Sequence, residues 1–217
     1  MSSRTRICVY GVRSDEEALA AADAGADGVG LFFNPRSARF VEPEEAWEIA
    51  AVLPPLVATV GVLENATVEK FTEIEERCPT DYSQLHGAEP EDVARQCGTR
   101  AIKTIRGDAA ALEREAQRWS TVDEIDAIMI ALDGAAAADA AVLAAVGRIV
   151  ASRARPVLVG GGLTADNVGG VIAAARPWAV VVSGGVEDDA GRKSPAKMAA
   201  FCRAVAAADA GGAGCPR

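Results

Sequence analysis

Short apolar runs rich in β-branched residues recur along the chain at Arg6 to Tyr10, Asp27 to Phe33, Leu56 to Val62, Tyr82 to His86, Arg100 to Ile105, Ala127 to Leu132, Pro156 to Val159 and Trp178 to Ser183. Runs of this length and composition read as strands. Between and after them lie alanine-rich stretches with helical spacing, at Asp15 to Ala24, Pro43 to Leu53, Thr67 to Glu76, Glu89 to Gln96, Ala109 to Trp119, Ala137 to Ser152, Ala165 to Ala175 and Pro195 to Ala207. Several open on a start signal: Ser14 before three acidic residues, Pro43 in a first turn, Thr67, and Ser194-Pro195. Eight alternations of strand and helix predict one α/β domain, a single (β/α)8 or TIM barrel over residues 1–208. A doubly wound open sheet would carry its glycine fingerprint after the first strand, whereas here the glycines crowd after the last two. Residues 209–217 lack a core-forming pattern and are expected to form a disordered tail.

The last two strands each stop in glycine or serine and hand over to a helical pattern. Val157-Leu158-Val159-Gly160-Gly161-Gly162 is followed by Trp178 to Val182 and then Ser183-Gly184-Gly185. Bare backbone N–H groups at a strand's carboxyl end and a helix's start make an anion cradle. Gly161, Gly162, Ser183, Gly184 and Gly185 are therefore the expected phosphate-binding residues. The other strand ends contribute Cys8 and Tyr10 on one face, a loop from Asn34 to Phe40 with two arginines, Gln84 with the chain's single histidine His86, Lys103 with Arg106, and Asp133.

Composition narrows the partners. Half of the 217 residues are hydrophobic, enough for one sizeable core, and no 18-residue apolar run or signal-peptide pattern appears. The expectation is a soluble cytoplasmic protein, monomer or homodimer, with no membrane partner. A net charge of -9 argues against nucleic acid. It leaves room for a small phosphorylated substrate, because local donors outweigh a screened global field. Five scattered cysteines with no C-x-x-C pair, one histidine and dispersed carboxylates offer neither a disulfide framework nor a metal site. No nucleotide fingerprint implies a redox cofactor, so no cofactor is expected.

Taken together, Ala24 to Phe33, Ser37 to Glu44, Val60-Gly61-Val62 with Asn65, Gln84 to Gly87, Gly161 to Leu163 with Asn167-Val168, and Ser183 to Glu187 with Gly191 resemble the phosphoribosylanthranilate isomerase family. The resemblance runs from the first strand to Phe201. It implies an Amadori rearrangement, in which an acid protonates the ribose ring oxygen, the ring opens to an iminium, and a base removes the C2′ proton to give an enolamine and then a ketone. It also implies that Arg39 binds the arylamine's carboxylate. Gln84, His86 and Lys103 at their strand ends complete the expected substrate-binding set, a structural histidine being the alternative for His86.

The departures from the family fall where the chemistry belongs. An alignment without gaps on Gly11 puts Tyr10 where the family has its cysteine base; two inserted residues would put Cys8 there instead. The family's acid aspartate falls on Ala131, with Asp133 two residues later on the same face, either the acid after a two-residue shift or a helix cap. The aspartate of the family's last strand falls on Val181, and its glycine-rich loop after the sixth strand is replaced by Gly134 to Asp139. The expected catalytic residues are Asp133 with Cys8 or Tyr10. A phosphate-binding barrel without this chemistry, or with another, is the alternative.

Overall fold

The computed structural model describes residues 4–98, 100–132 and 139–212. Eight parallel strands close into a barrel in sequence order: β1 (Arg6–Tyr10), β2 (Gly28–Phe32), β3 (Ala58–Leu63), β4 (Tyr82–Leu85), β5 (Ala101–Ile105), β6 (Ile125–Ala131), β7 (Val157–Gly160) and β8 (Ala179–Val182). The ring is sealed where β1 pairs with β8, with Cys8 opposite Val181 and Val9 opposite Val182. Each strand leads to a helix on the outside: α1 (Asp15–Asp23), α2 (Pro43–Ala51), α3 (Val68–Arg77), α4 (Glu91–Gln96), α5 (Ala109–Trp119), α6 (Ala140–Ser152), α7 (Val168–Ala175) and α8 (Pro195–Gly212). Thus the (β/α)8 architecture read from the hydrophobic pattern is the observed one. No helix among the described residues is long and apolar enough to cross a membrane.

The local chemistry explains most boundaries. Ser14 and Thr67 cap α1 and α3 by accepting from the N–H groups of Glu17 and Lys70, and Pro43 opens α2 where no N–H is needed. Two boundaries differ from expectation. Asp139 is extended and caps α6 through the N–H groups of Ala141 and Val142, so that helix begins at Ala140 rather than Ala137. At the other end α8 continues through Gly212, past the boundary expected at residue 208. The Asp209 side chain takes both the N–H and the hydroxyl of Thr5 at 2.7 Å, which fastens this last turn beneath the barrel.

Strand alternation sorts the core into two layers. Ile7 and Val9 of β1 belong to the large outer layer between strands and helices. Cys8 and Tyr10 point the other way, into an interior layer with Val60, Val62, Ile102, Met129, Leu158 and Val181. One irregularity marks the ring: the β5–β6 register steps from Ala101↔Ile125 to Ile102↔Ala127, leaving Asp126 as an extra, exposed residue. Beyond this bulge Ala127, Met129 and Ala131 face inward.

Candidate active site

The carboxyl ends of the strands surround a cleft of about 600 Å³. One wall is made by the turns after β7 and β8. Gly161 and Gly162 both have left-handed backbone, with φ of 94° and 64°. A Cβ on Gly161 would collide with the Leu132 carbonyl, and one on Gly185 with the Leu163 carbonyl, so both turns need glycine for close approach. Asn167 fixes the first turn, accepting from Thr164 N at 2.8 Å and donating to Gly162 O at 2.9 Å. Among the described residues no backbone acceptor takes the N–H groups of Gly162, Gly184 or Gly185, and all three residues line the cleft. The two turns thus come together as an anion cradle.

Ser183 also lines the cleft, but its hydroxyl donates to Tyr10 O at 2.9 Å and ties β8 to β1. Its hydroxyl also lies 3.4 Å from the Lys193 ammonium, whose side chain is fully buried and pairs with Glu187 at 2.6 Å. Glu187 in turn grips Arg39 with both oxygens, Oε1 on Nε at 2.6 Å and Oε2 on Nη2 at 2.8 Å. The Arg39 hydrogen bond, aided by Lys193, holds the Glu187 carboxyl at about 2 against the cost of burial. The expected carboxylate-binding arginine therefore already holds a carboxylate of its own chain. It lies across Gly11 and beside Gly184, with Nη1 outside this pair.

The opposite wall is a hydrogen-bonded chain across β1, β4 and β5. Tyr10 Oη donates to Gln84 Oε1 at 2.7 Å, and the fully buried Gln84 amide contacts Thr104 Oγ1 and His86 Nδ1, both at 3.0 Å. Arg106 closes the chain by donating from Nη1 to His86 O at 2.8 Å and from Nη2 to His86 Nε2. Burial, reinforced by Arg106, lowers His86 to about 4, so the imidazole is neutral at physiological pH. His86 and Phe32 also border a second cavity of about 610 Å³, where Asn34, Arg36, Glu64 and Asn65 gather.

Several expected residues stand elsewhere. Cys8 shares the inward face with Tyr10 but lies below it, away from the cleft lining; burial pushes its thiol up to about 12. A thiol held protonated is a poor base. Tyr10 reaches the cleft, yet burial raises its phenol well above 10, and its proton is engaged by Gln84. Lys103 points out of the barrel: it bonds Gly87 O at 2.8 Å and Glu89 Oε2 at 2.5 Å and lies 5.1 Å from the Trp119 ring. It is a buried structural cation, not a ligand-facing one. Asp133 lies outside the described residues, as do Gly134 to Ala138. Arg106, Phe32, Met129, Ala131 and Val181 line the cleft without having been singled out as ligand-binding. Ala131 and Val181 were legible only as departures from a motif; Arg106 carried a signal, its place one residue past β5.

Comparison with known proteins accords with this arrangement. Residues 7–204 match the family model described as N-(5'phosphoribosyl)anthranilate (PRA) isomerase. N-(5'-phosphoribosyl)anthranilate isomerase of Pseudomonas putida is 40% identical over 209 residues, covering 93% of this chain and 97% of its own. The Moorella thermoacetica enzyme of the same name is 41% identical over 219 residues, 95% and 91% of the two chains. Among solved structures, phosphoribosyl anthranilate isomerase from Thermotoga maritima superposes with a TM-score of 0.80 at 30% identity, over 94% of this chain and 99% of that one. A phosphoribosyl anthranilate isomerase in complex with reduced 1-(o-carboxyphenylamino)-1-deoxyribulose 5-phosphate gives 0.78 at 30% identity, with the same coverage.

Proposed function

Because the chain belongs to the N-(5'-phosphoribosyl)anthranilate isomerase family, we propose that it is an aldose–ketose isomerase that rearranges a phosphosugar joined to an arylamine, N-(5'-phosphoribosyl)anthranilate first among them. The observation that carries this reading is the pair of glycine turns after β7 and β8: Gly162, Gly184 and Gly185, whose N–H groups have no backbone acceptor among the described residues, line one cleft with His86 and Arg106. The phosphate seats on Gly161, Gly162, Gly184 and Gly185, and the sugar lies over Tyr10 and Gln84. Asp133, two residues beyond the inward-facing Ala131, is proposed as the acid for the ring oxygen. A solution assay tests it: freshly generated N-(5'-phosphoribosyl)anthranilate loses its anthranilate-type fluorescence on turnover, and calorimetry with the reduced ribulose phosphate reports binding.

A specific observation favours a second reading. Ala131 and Val181 present methyl groups to the cleft at strand ends where a carboxylate would serve this reaction. A barrel that binds the phosphosugar without turning it over would bind the reduced analogue and leave the fluorescence unchanged.

A further inference from the structure

The His86 ring is held from both sides. A guanidinium only donates, so the Nε2 atom facing Arg106 Nη2 is the acceptor, and the ring proton sits on Nδ1, 3.2 Å from Thr104 Oγ1. The Gln84 amide, a donor as well, gives its hydrogen to Thr104 Oγ1 at 3.0 Å, so that hydroxyl accepts from both the amide and Nδ1–H. The charged and titratable groups around it are Arg106 from β5, Glu64 from the end of β3, the Lys103–Glu89 pair behind β4 and β5, and Tyr10 below. Arg106 is exposed, and its side chain lines the cleft on which a ligand's anionic end would act. Of the described groups at this wall, the imidazole alone is both uncharged at neutral pH and equipped with an in-plane lone pair of a base.

We infer that His86 is the proton acceptor of the isomerisation and that Arg106 is its removable cap: the ligand's carboxylate draws the guanidinium off Nε2 and exposes the lone pair. This rests on the isomerase reading above. In the iminium, the C2′–H bond breaks and its electron pair becomes the C1′=C2′ bond of the enolamine, neutralising the iminium nitrogen, while the proton goes to Nε2. The imidazolium then returns that proton to C1′ as the C2′ hydroxyl releases its own to solvent, replacing the proton that opened the ring. The reaction needs no outside oxidant or reductant.

The test compares wild type, His86→Asn, His86→Gln and Arg106→Met in turnover of N-(5'-phosphoribosyl)anthranilate and in calorimetric binding of the reduced ribulose phosphate. The expected result is a kcat lower by about a thousandfold in both His86 variants, with affinity for the analogue within about threefold of wild type, which also certifies their fold. Arg106→Met should raise KM and move the acid limb of kcat/KM upward from the region of pH 4, since a cation that disfavours the imidazolium is gone. A purely structural role would leave that limb in place. Turnover by either His86 variant within about tenfold of wild type overturns the inference and leaves the isomerase reading standing. A wild type that binds the analogue but turns nothing over overturns both.

Discussion

Tyr10 Oη donates a 2.7 Å hydrogen bond to Gln84 Oε1 across the barrel interior, joining β1 to β4 beneath the cleft. The bond fixes the tyrosine as floor rather than reagent. The ring lies over Gly30, where a Cβ would strike it, and meets Phe32 edge-on at 6.3 Å. Tyr10→Phe should therefore leave Gln84 short of a donor and lower unfolding free energy by about 1–2 kcal/mol in urea titration. Turnover should stay within about tenfold of wild type. Loss of turnover with unchanged binding of the reduced ribulose phosphate would make the phenol the base.

Lys103→Met strands the Glu89 carboxylate, which is buried and also accepts from the N–H groups of Asn65 and Gly87. Breaking one side of a buried pair costs about 3–5 kcal/mol. The expected outcome is a large drop in melting temperature with KM unchanged wherever the fold persists. A raised KM with an unchanged melting temperature would return Lys103 to the ligand's side.

The misplaced Lys103 shows what the sequence could and could not tell. All eight strands were visible because each is a short β-branched run between turn signals. The phase of β5 was not: Ala101, Ile102, Lys103, Thr104 and Ile105 are all buried, since a barrel strand is covered on both faces and loses the alternation of apolar and polar residues. For β1 the phase was recoverable, because two polar-capable residues, Cys8 and Tyr10, fell two apart. The phosphate turns were legible for a local reason, glycines at positions where a Cβ collides. Arg39's partner was hidden, because Glu187 lies 148 residues away and nothing in spacing pairs them. The end of α8 was missed because Gly211 and Gly212 look like a tail, while Asp209 caps Thr5 across the whole chain.

Acid should weaken the fold in two stages with one sign. His86 is depressed to about 4, so the unfolded chain binds this proton first, and the stability it contributes, present above pH ~6.5, falls away between ~6.5 and ~4. Glu187, held at about 2, contributes stability present above ~4.5 and lost as pH falls through ~2. Each amounts to no more than roughly 3.5 kcal/mol, less what solvent screens. In pH-dependent denaturation His86→Asn should flatten the upper stage and keep the lower. A variant retaining the full slope between pH 6.5 and 4 would contradict the buried neutral imidazole.

Two glycine substitutions should part in direction. Gly185→Ala drives a methyl into the Leu163 carbonyl at the cradle, which should cost about 1–3 kcal/mol and abolish calorimetric binding of inorganic phosphate. Gly170→Ala, on the exposed face of α7 with nothing within 4 Å of its new methyl, should stabilise by about 0.5–1 kcal/mol and leave phosphate binding intact. Equal effects from both would detach the β8 turn from phosphate recognition.

This barrel, with Tyr10, Ala131 and Val181 at its strand ends, is proposed to isomerise a phosphosugar–arylamine adduct. Wild-type protein mixed with freshly generated N-(5'-phosphoribosyl)anthranilate, beside Asp133→Asn, tests it most directly. Fluorescence should be lost at a kcat of about 1 per second or faster, with kcat lower by about a hundredfold or more in Asp133→Asn. Undiminished fluorescence from a wild type that still binds the reduced ribulose phosphate would contradict it.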